Sequence, residues 1–261
     1  MLRARTCVLA LLLWKGELIM PEWLTRTKAL IGEENCLRLS DARVAVLGLG
    51  GVGGACAEAL CRSGIGTLIL IDRDTVSLSN LNRQLFATLD TVGLEKTQAA
   101  KARLSSVSPD CKLITLTEFY LPENRDILFS QNPDFVVDAI DTVTAKLDLM
   151  ETCFHRGIPL ISCMGTGNRL DPSQFTIGDI ADTAGSGDNL AKVIRRELKK
   201  RGVPKQPVLF STEQPQKIGF VGEPEFGRHA PASIGYTPPA AGYLLAGYVV
   251  RSLLGMEKTV K

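Results

Sequence analysis

The sequence predicts an α/β fold: a Rossmann-like, mainly parallel sheet with helices on both faces, and a smaller antiparallel and helical extension at the C-terminal end. Three observations predict it. Apolar runs at 44–47 (VAVL), 68–71 (LILI) and 135–140 (FVVDAI) are continuous rather than alternating, as in strands covered on both faces. Segments of helical period lie between these runs. The first run leads straight into GLGGVGG (48–54), a glycine turn that opens a helix and lets backbone N–H groups approach a phosphate.

The elements follow in order. Strands are expected at 43–47, 67–71, 112–116, 135–139 and 160–163, with helices at 54–62, 97–106, 123–130 and 144–155. Pro109, Pro122, Pro133 and Pro159 punctuate the joints. Beyond Met164 the glycines at 165, 167, 178, 185 and 187 loosen the chain. An antiparallel strand is expected at 174–177, a polar helix at 188–200, a further strand at 208–211 and a long mobile loop over 214–228. Pro238 and Pro239 suit the first turn of a terminal helix over 240–254. That helix is apolar on nearly all faces and contains Arg251, so it suits burial or a dimer interface rather than a bilayer.

Composition narrows the class. At 261 residues and 45% apolar, the chain can bury the core of one domain, expected over 20–261. Seven cysteines without a CxxC spacing point to reduced thiols in a cytoplasmic protein, not to disulfides or zinc. Two separate histidines, His155 and His229, make neither a metal cluster nor a triad. Residues 1–19 read as a translated leader, with a true extension or a signal segment as the alternatives: LysGlyGluLeuIle before Met20 can be encoded by a purine-rich ribosome-binding stretch. A native N-terminal peptide starting before Met20 refutes that expectation. Without the leader the formal charge falls from +2 to zero, so any nucleic-acid contact must come from a local patch.

The chemistry gathers around the glycine turn, Gly48, Gly50, Gly51 and Gly53. Asp72, ending the second strand, can accept ribose hydroxyls; this pair of features alone favours NAD or FAD. A dense polar segment then follows, with Ser79, Asn80, Asn82, Arg83 and Gln84, and Lys96 shortly after. Hydride transfer has no use for two cations beside the phosphates, whereas attack on a phosphoanhydride does. Arg83 can bridge two phosphoryl oxygens, and Lys96 supplies a point charge. Asp141, beside Thr142 just past the fourth strand, is a hard oxygen donor suited to Mg²⁺.

The order of glycine turn, Asp72, SNLNRQ, Lys96 and AIDT resembles the adenylating family of ubiquitin-activating enzymes and bacterial sulfur-carrier activators, over about 25–255. The resemblance implies ATP and Mg²⁺ as ligands. Asp72 then holds the ribose, Arg83 and Lys96 the triphosphate, and Asp141 works with magnesium. It also implies a homodimer in which Arg26 reaches the partner subunit's ATP site. On this reading 40–164 is the nucleotide-binding part, and 165–261 serves substrate and dimerisation.

Cysteine placement separates the branches. No cysteine follows Cys163, which ends an apolar strand, and the zinc CxxC pairs of many sulfur-carrier activators are missing. With adenylating parts and no acyl-capturing thiol, the chain looks like the tRNA threonylcarbamoyladenosine dehydratases. There ATP activates the threonyl carboxylate of the modified adenosine beside the anticodon, and the side chain closes on itself. Segments 187–203, 208–215 and 232–242 carry that likeness. Asn189 stands where the branch has proline, and Pro231 replaces a cysteine of some relatives. Lys192, Arg195, Arg196 and Lys199 are expected on one face of the polar helix, where they could track tRNA phosphates. The alternative is an adenylyltransferase for a ubiquitin-like sulfur carrier; no sulfur-transfer partner is named by the sequence. An NAD(P) oxidoreductase would leave Arg83, Lys96 and Asp141 without purpose, and an intact ATP set argues against a scaffold.

Overall fold

The computed structural model describes residues 13–14, 17–18, 21–218, 221–225 and 228–256. The leader expected over 1–19 falls almost wholly outside them; two short strands there, β1 (Leu13–Trp14) and β2 (Glu17–Leu18), pair antiparallel. Two helices not foreseen from sequence follow, α1 (Thr25–Ile31) and α2 (Glu33–Asp41). Then comes the expected alternation: β3 (Arg43–Leu47), α3 (Gly51–Arg62), β4 (Thr67–Ile71), α4 (Lys96–Val107), β5 (Lys112–Leu116). It continues with α5 (Asp126–Phe129), β6 (Phe135–Asp138), α6 (Val143–Arg156) and β7 (Leu160–Cys163).

These strands and two later ones, β8 (Phe175–Asp179) and β9 (Pro207–Ser211), make one seven-stranded sheet in the order β5-β4-β3-β6-β7-β9-β8. All neighbours run parallel except β8 and β9. The antiparallel extension expected at the C-terminal end is thus the pair β8–β9, which continues the first sheet beyond β7. Alternate residues of the central strands feed two cores. Val44, Val46, Leu68 and Leu70 pack beneath α3, α4 and α8 (Thr237–Leu253). Ala45, Leu47, Ile69 and Ile71 pack beneath α5, α6 and α7 (Asn189–Lys200).

Four expectations change. Helix α3 begins at Gly51 rather than 54, because Gly50 turns the chain and the following glycines already adopt the helix. The helix expected at 123–130 splits into a 3₁₀ turn, Pro122–Asn124, and the short α5, since Pro122 opens a tighter turn. In place of a loop over 214–228, β10 (Val221–Glu225) and β11 (Arg228–Ala230) pair antiparallel. Helix α8 starts at Thr237, taking both prolines into its first turn, where missing N–H donors cost nothing.

Helix α8 is buried against α3 on one side, through Ala241, Leu245 and Val249, while Tyr243 and Leu244 face outward. The contact depends on Gly242, where a Cβ would lie 2.2 Å from the Val52 carbonyl oxygen. Gly242→Ala is therefore expected to destabilise the fold by about 1–3 kcal/mol through overpacking. At Gly247 the added methyl meets only the far end of the Arg251 side chain at 3.1 Å, so Gly247→Ala should be neutral or stabilising by up to about 1 kcal/mol. Urea midpoints of the two variants check the contrast.

Candidate active site

The strand order reverses between β3 and β6, which opens a crevice at their C-terminal ends, the usual ligand position in such sheets. The glycine turn fills one wall. Gly48 has a φ of +84°, and a Cβ there would lie 2.7 Å from the Ala139 carbonyl oxygen. A Cβ on Gly53 would lie 1.7 Å from the Gly48 carbonyl oxygen. Only glycine allows this winding, which leaves the start of α3 open toward the crevice. Gly51 and Gly53 are thus the first turn of a helix, not part of a loop.

Asp72 sits behind the turn. The Leu49 N–H donates to its Oδ2 at 2.6 Å and the Asp74 N–H to its Oδ1 at 2.8 Å, which fixes the glycine turn to the end of β4. Burial pushes its carboxyl above the usual range, against the pull of Lys96 and the two N–H groups. Each oxygen keeps a lone pair for a ribose hydroxyl.

Arg83 lies over the beginning of α3: its carbonyl oxygen and Cγ would be 3.1 and 3.5 Å from a Cβ on Gly51. Its Nη1 donates to the Ser79 carbonyl oxygen and to Asn82 Oδ1, both at 2.8 Å, and burial lowers its pKa. Asn82 in turn donates to the Ser233 carbonyl oxygen at 3.1 Å, joining this segment to the residues before α8. Gln84 is buried beside Gly50. Asn80 is buried too, and its Oδ1 accepts from the Ser77 N–H, so its visible work is to cap a 3₁₀ turn.

Lys96 is the first residue of α4 and is buried. Its Nζ donates to Asp74 Oδ2 at 2.6 Å and stands 4.0 Å from Asp72 Oδ2. Asp74, which on sequence grounds looks like a surface or capping acid, is the counter-ion of this lysine. Asp141 is exposed in the loop after β6, next to Ala139 and Ile140, which touch Gly48, and Thr142 precedes the first residue of α6. Arg26 is exposed on α1.

The structure adds a group that the motifs did not reveal. Lys146, fully buried on α6, donates from Nζ to Asp138 Oδ2 (2.9 Å), Ser162 Oγ (2.9 Å) and the Cys163 carbonyl oxygen (2.8 Å). Ser162 also donates to Asp138 Oδ2 at 2.6 Å, and Asp138 Oδ1 accepts from Ile140 N–H at 3.2 Å. Three acceptors satisfy the ammonium, and the same carboxylate fixes the loop that carries Asp141. The signal in the sequence was an acid inside the apolar core segment FVVDAI with a lysine eight positions on.

On α7 the expected basic face is incomplete. Lys192, Arg196 and Lys199 are exposed, but Arg195 turns inward, and its Nη1 donates to Thr183 Oγ1 at 2.7 Å. Position 195 faces the 3₁₀ turn that α7 packs on, so hydrogen bonding there outweighs solvation. Beside Asn189, Asp188 caps the start of α7 by accepting from the Leu190 and Ala191 N–H groups. Six described cysteines, Cys36 through Cys163, are buried as free thiols, and burial pushes Cys163 up to about 12.

The family model described as "ThiF family" matches residues 24–261. The chain belongs to the ThiF family. Within it, the chain is 42% identical over 240 residues to a tRNA threonylcarbamoyladenosine dehydratase of Bacillus subtilis, covering 88% of this chain and 94% of that one. A tRNA threonylcarbamoyladenosine dehydratase of Escherichia coli is 38% identical over 206 residues, covering 75% and 76%. The crystal structure of the E. coli dehydratase in complex with ATP superposes with a TM-score of 0.79 at 31% identity, covering 88% of this chain and 93% of that one.

Removing the ammonium should expose what the Lys146 group does for this ThiF protein. Lys146→Met leaves Asp138 buried and uncompensated and is expected to cost about 3–5 kcal/mol in urea unfolding. Adding Asp138→Asn should recover part of that loss; no recovery would mean that the pair is not coupled.

Proposed function

We propose that this chain is an ATP-dependent tRNA threonylcarbamoyladenosine dehydratase, acting on the modified adenosine beside the anticodon. The observation that carries this reading is the pairing of a polar crevice suited to an adenylate with thiols that are all buried among the described residues. Glycine turn, Asp72, Arg83 and Lys96 converge on one end of the sheet, while no described cysteine is exposed to capture an acyl group.

The chemistry follows from that arrangement. The substrate carboxylate attacks the α-phosphorus of ATP, the carboxylate oxygen–phosphorus bond forms, and pyrophosphate leaves. Two anions must meet, so the stabilising work falls to the N–H groups at the start of α3, Arg83 and Lys96. For Lys96 this means exchanging Asp74 for phosphate oxygens. The substrate's own side chain then attacks the acyl carbon, AMP departs and a proton is lost. That nucleophile is already tethered at high effective concentration, so no enzyme thiol is needed. Asp141 suits Mg²⁺ as one exposed carboxylate acting with phosphate oxygens, for among the described residues no group of three potential ligands forms a protein cage. Magnesium would neutralise charge on the leaving phosphates.

The remaining parts of the reading are a division of labour: 40–164 for the nucleotide, 165–261 for tRNA and subunit contact. Lys192, Arg196 and Lys199, at spacings of four and three on α7, give phosphates a continuous face. In a homodimer, Arg26 on exposed α1 would reach the partner subunit's ATP. No described helix is long and apolar enough to cross a membrane, and the buried free thiols suit a cytoplasmic setting.

Two experiments test this. ATP with Mg²⁺ should raise the melting temperature while NAD⁺ does not. Arg83→Ala should keep the fold but lower turnover of modified tRNA at least about 100-fold, whereas Cys163→Ala should remain active. A trapped thioester, or an inactive but folded Cys163→Ala protein, would instead favour a sulfur-carrier adenylyltransferase. Separately, reversing Lys192, Arg196 and Lys199 to Glu should weaken tRNA binding. The slope of log affinity against log salt should fall by roughly 0.7 to 0.9 per lost contact, with ATP binding preserved. An unchanged slope would return α7 to ordinary surface.

A further inference from the structure

Two buried polar atoms among the described residues have no hydrogen-bond partner, Arg169 Nη1 and Ser233 Oγ. They are far apart in sequence and flank the same junction. Asn168, in the left-handed region at φ 59°, donates its N–H to the Ala232 carbonyl oxygen at 2.8 Å. The Ala232 N–H returns to Asn168 Oδ1, also at 2.8 Å. Arg169 follows one arm of this clasp and Ser233 the other.

Arg169 is only 3% exposed. Its Nε donates to the Gly165 carbonyl oxygen at 3.2 Å, and burial lowers its pKa against the pull of Asp188 and Glu213. Both carboxylates are already engaged: Asp188 by Gly165 and the start of α7, Glu213 by the Leu170 and Asp171 N–H groups. A buried guanidinium with an unused donor favours an added anion, because an unmet hydrogen bond there carries the full desolvation cost.

The junction adjoins the crevice. The Ser233 carbonyl oxygen accepts from Asn82, and Pro238 would lie 2.8 Å from a Cβ on Gly51, at the phosphate end of α3. Beside it, Ile234 and Tyr236 are 38% and 49% exposed, which leaves an aromatic face available for a base to stack on.

We propose that Arg169 and Ser233 receive the carboxylate of the modified nucleoside and that Tyr236 stacks on its base. This deepens the dehydratase reading and rests on it. An anion reaches Arg169 when residues 231–236 lift from the Asn168 clasp, a movement that breaks the two hydrogen bonds of the clasp and the one from Asn82 to the Ser233 carbonyl oxygen. The carboxylate then takes the unused Nη1 donor and the Ser233 hydroxyl, close to the glycine turn where the α-phosphate lies.

The test measures affinity of the full chain for one anticodon stem-loop RNA made with and without the threonylcarbamoyl group. The wild type should prefer the modified RNA. Arg169→Gln should abolish that preference, raising KM for modified tRNA at least about 30-fold, the loss of one buried charged contact, while ATP·Mg²⁺ still raises the melting temperature as in wild type. Ser233→Ala should lose part of the preference. Tyr236→Ala should weaken both RNAs, with rescue by Tyr236→Phe. An Arg169→Gln protein that weakens both RNAs equally would make Arg169 a backbone-phosphate ligand and overturn the assignment. Full preference retained in that variant would mean that only solvent meets the guanidinium, and would overturn it as well. If the wild type itself shows no preference and no turnover, the dehydratase reading fails instead.

Discussion

The Lys146 ammonium, closed off from water, governs how this crevice is built. Desolvating an ammonium and a carboxylate is costly, and a pair in that position persists only when every donor is met. Here Asp138, Ser162 and the Cys163 carbonyl oxygen meet all three. Those partners come from the ends of β6 and β7, and the lysine from α6, so satisfying one charge fixes two strands and a helix relative to one another. The Asp141 loop is what lies between them. Its path is then set by Asp138, which also holds the Ile140 N–H, and by Gly48, which leaves room for the Ala139 carbonyl.

A second constraint concerns the resting charges. Lys96 and Asp74 neutralise one another at 2.6 Å while Asp72 is held by two backbone N–H groups. The crevice therefore does not keep naked cations waiting for nucleotide. Arg83 is likewise engaged, through Ser79 and Asn82. Phosphate binding as proposed would be an exchange of partners, so its net gain would be smaller than the number of contacts suggests, and selectivity would come from geometry as much as from charge.

Much of this was legible in the sequence because it is local. The strands VAVL, LILI and FVVD carry continuous apolar character, and glycines mark the one place where backbone must pass backbone. The cluster from Asp72 to Lys96 stands out by residue type alone, and the phosphate chemistry proposed for it is read from that. What escaped was long-range. No pattern within α7 shows that Arg195 will find Thr183, and none near Asn168 shows that Arg169 and Ser233 will flank one clasp. Helices α1 and α2 went unforeseen because they are short and polar, with Leu39 and Cys36 their only strongly buried side chains. Strand β10 carries Gly222 and Pro224, which have the chemistry of a loop.

The contact of Pro238 with Gly51 brings the first turns of α8 and α3 together. One first turn opens at the glycine turn proposed to meet the triphosphate, and the other follows the segment that lies over Arg169. A ligand that shifted either turn would work against its neighbour, as on a lever with two handles. Thermodynamic reciprocity then applies: whatever factor ATP contributes to tRNA affinity, tRNA must contribute to ATP affinity. A single proline ring against a single glycine is where such a coupling would pass from one helix to the other.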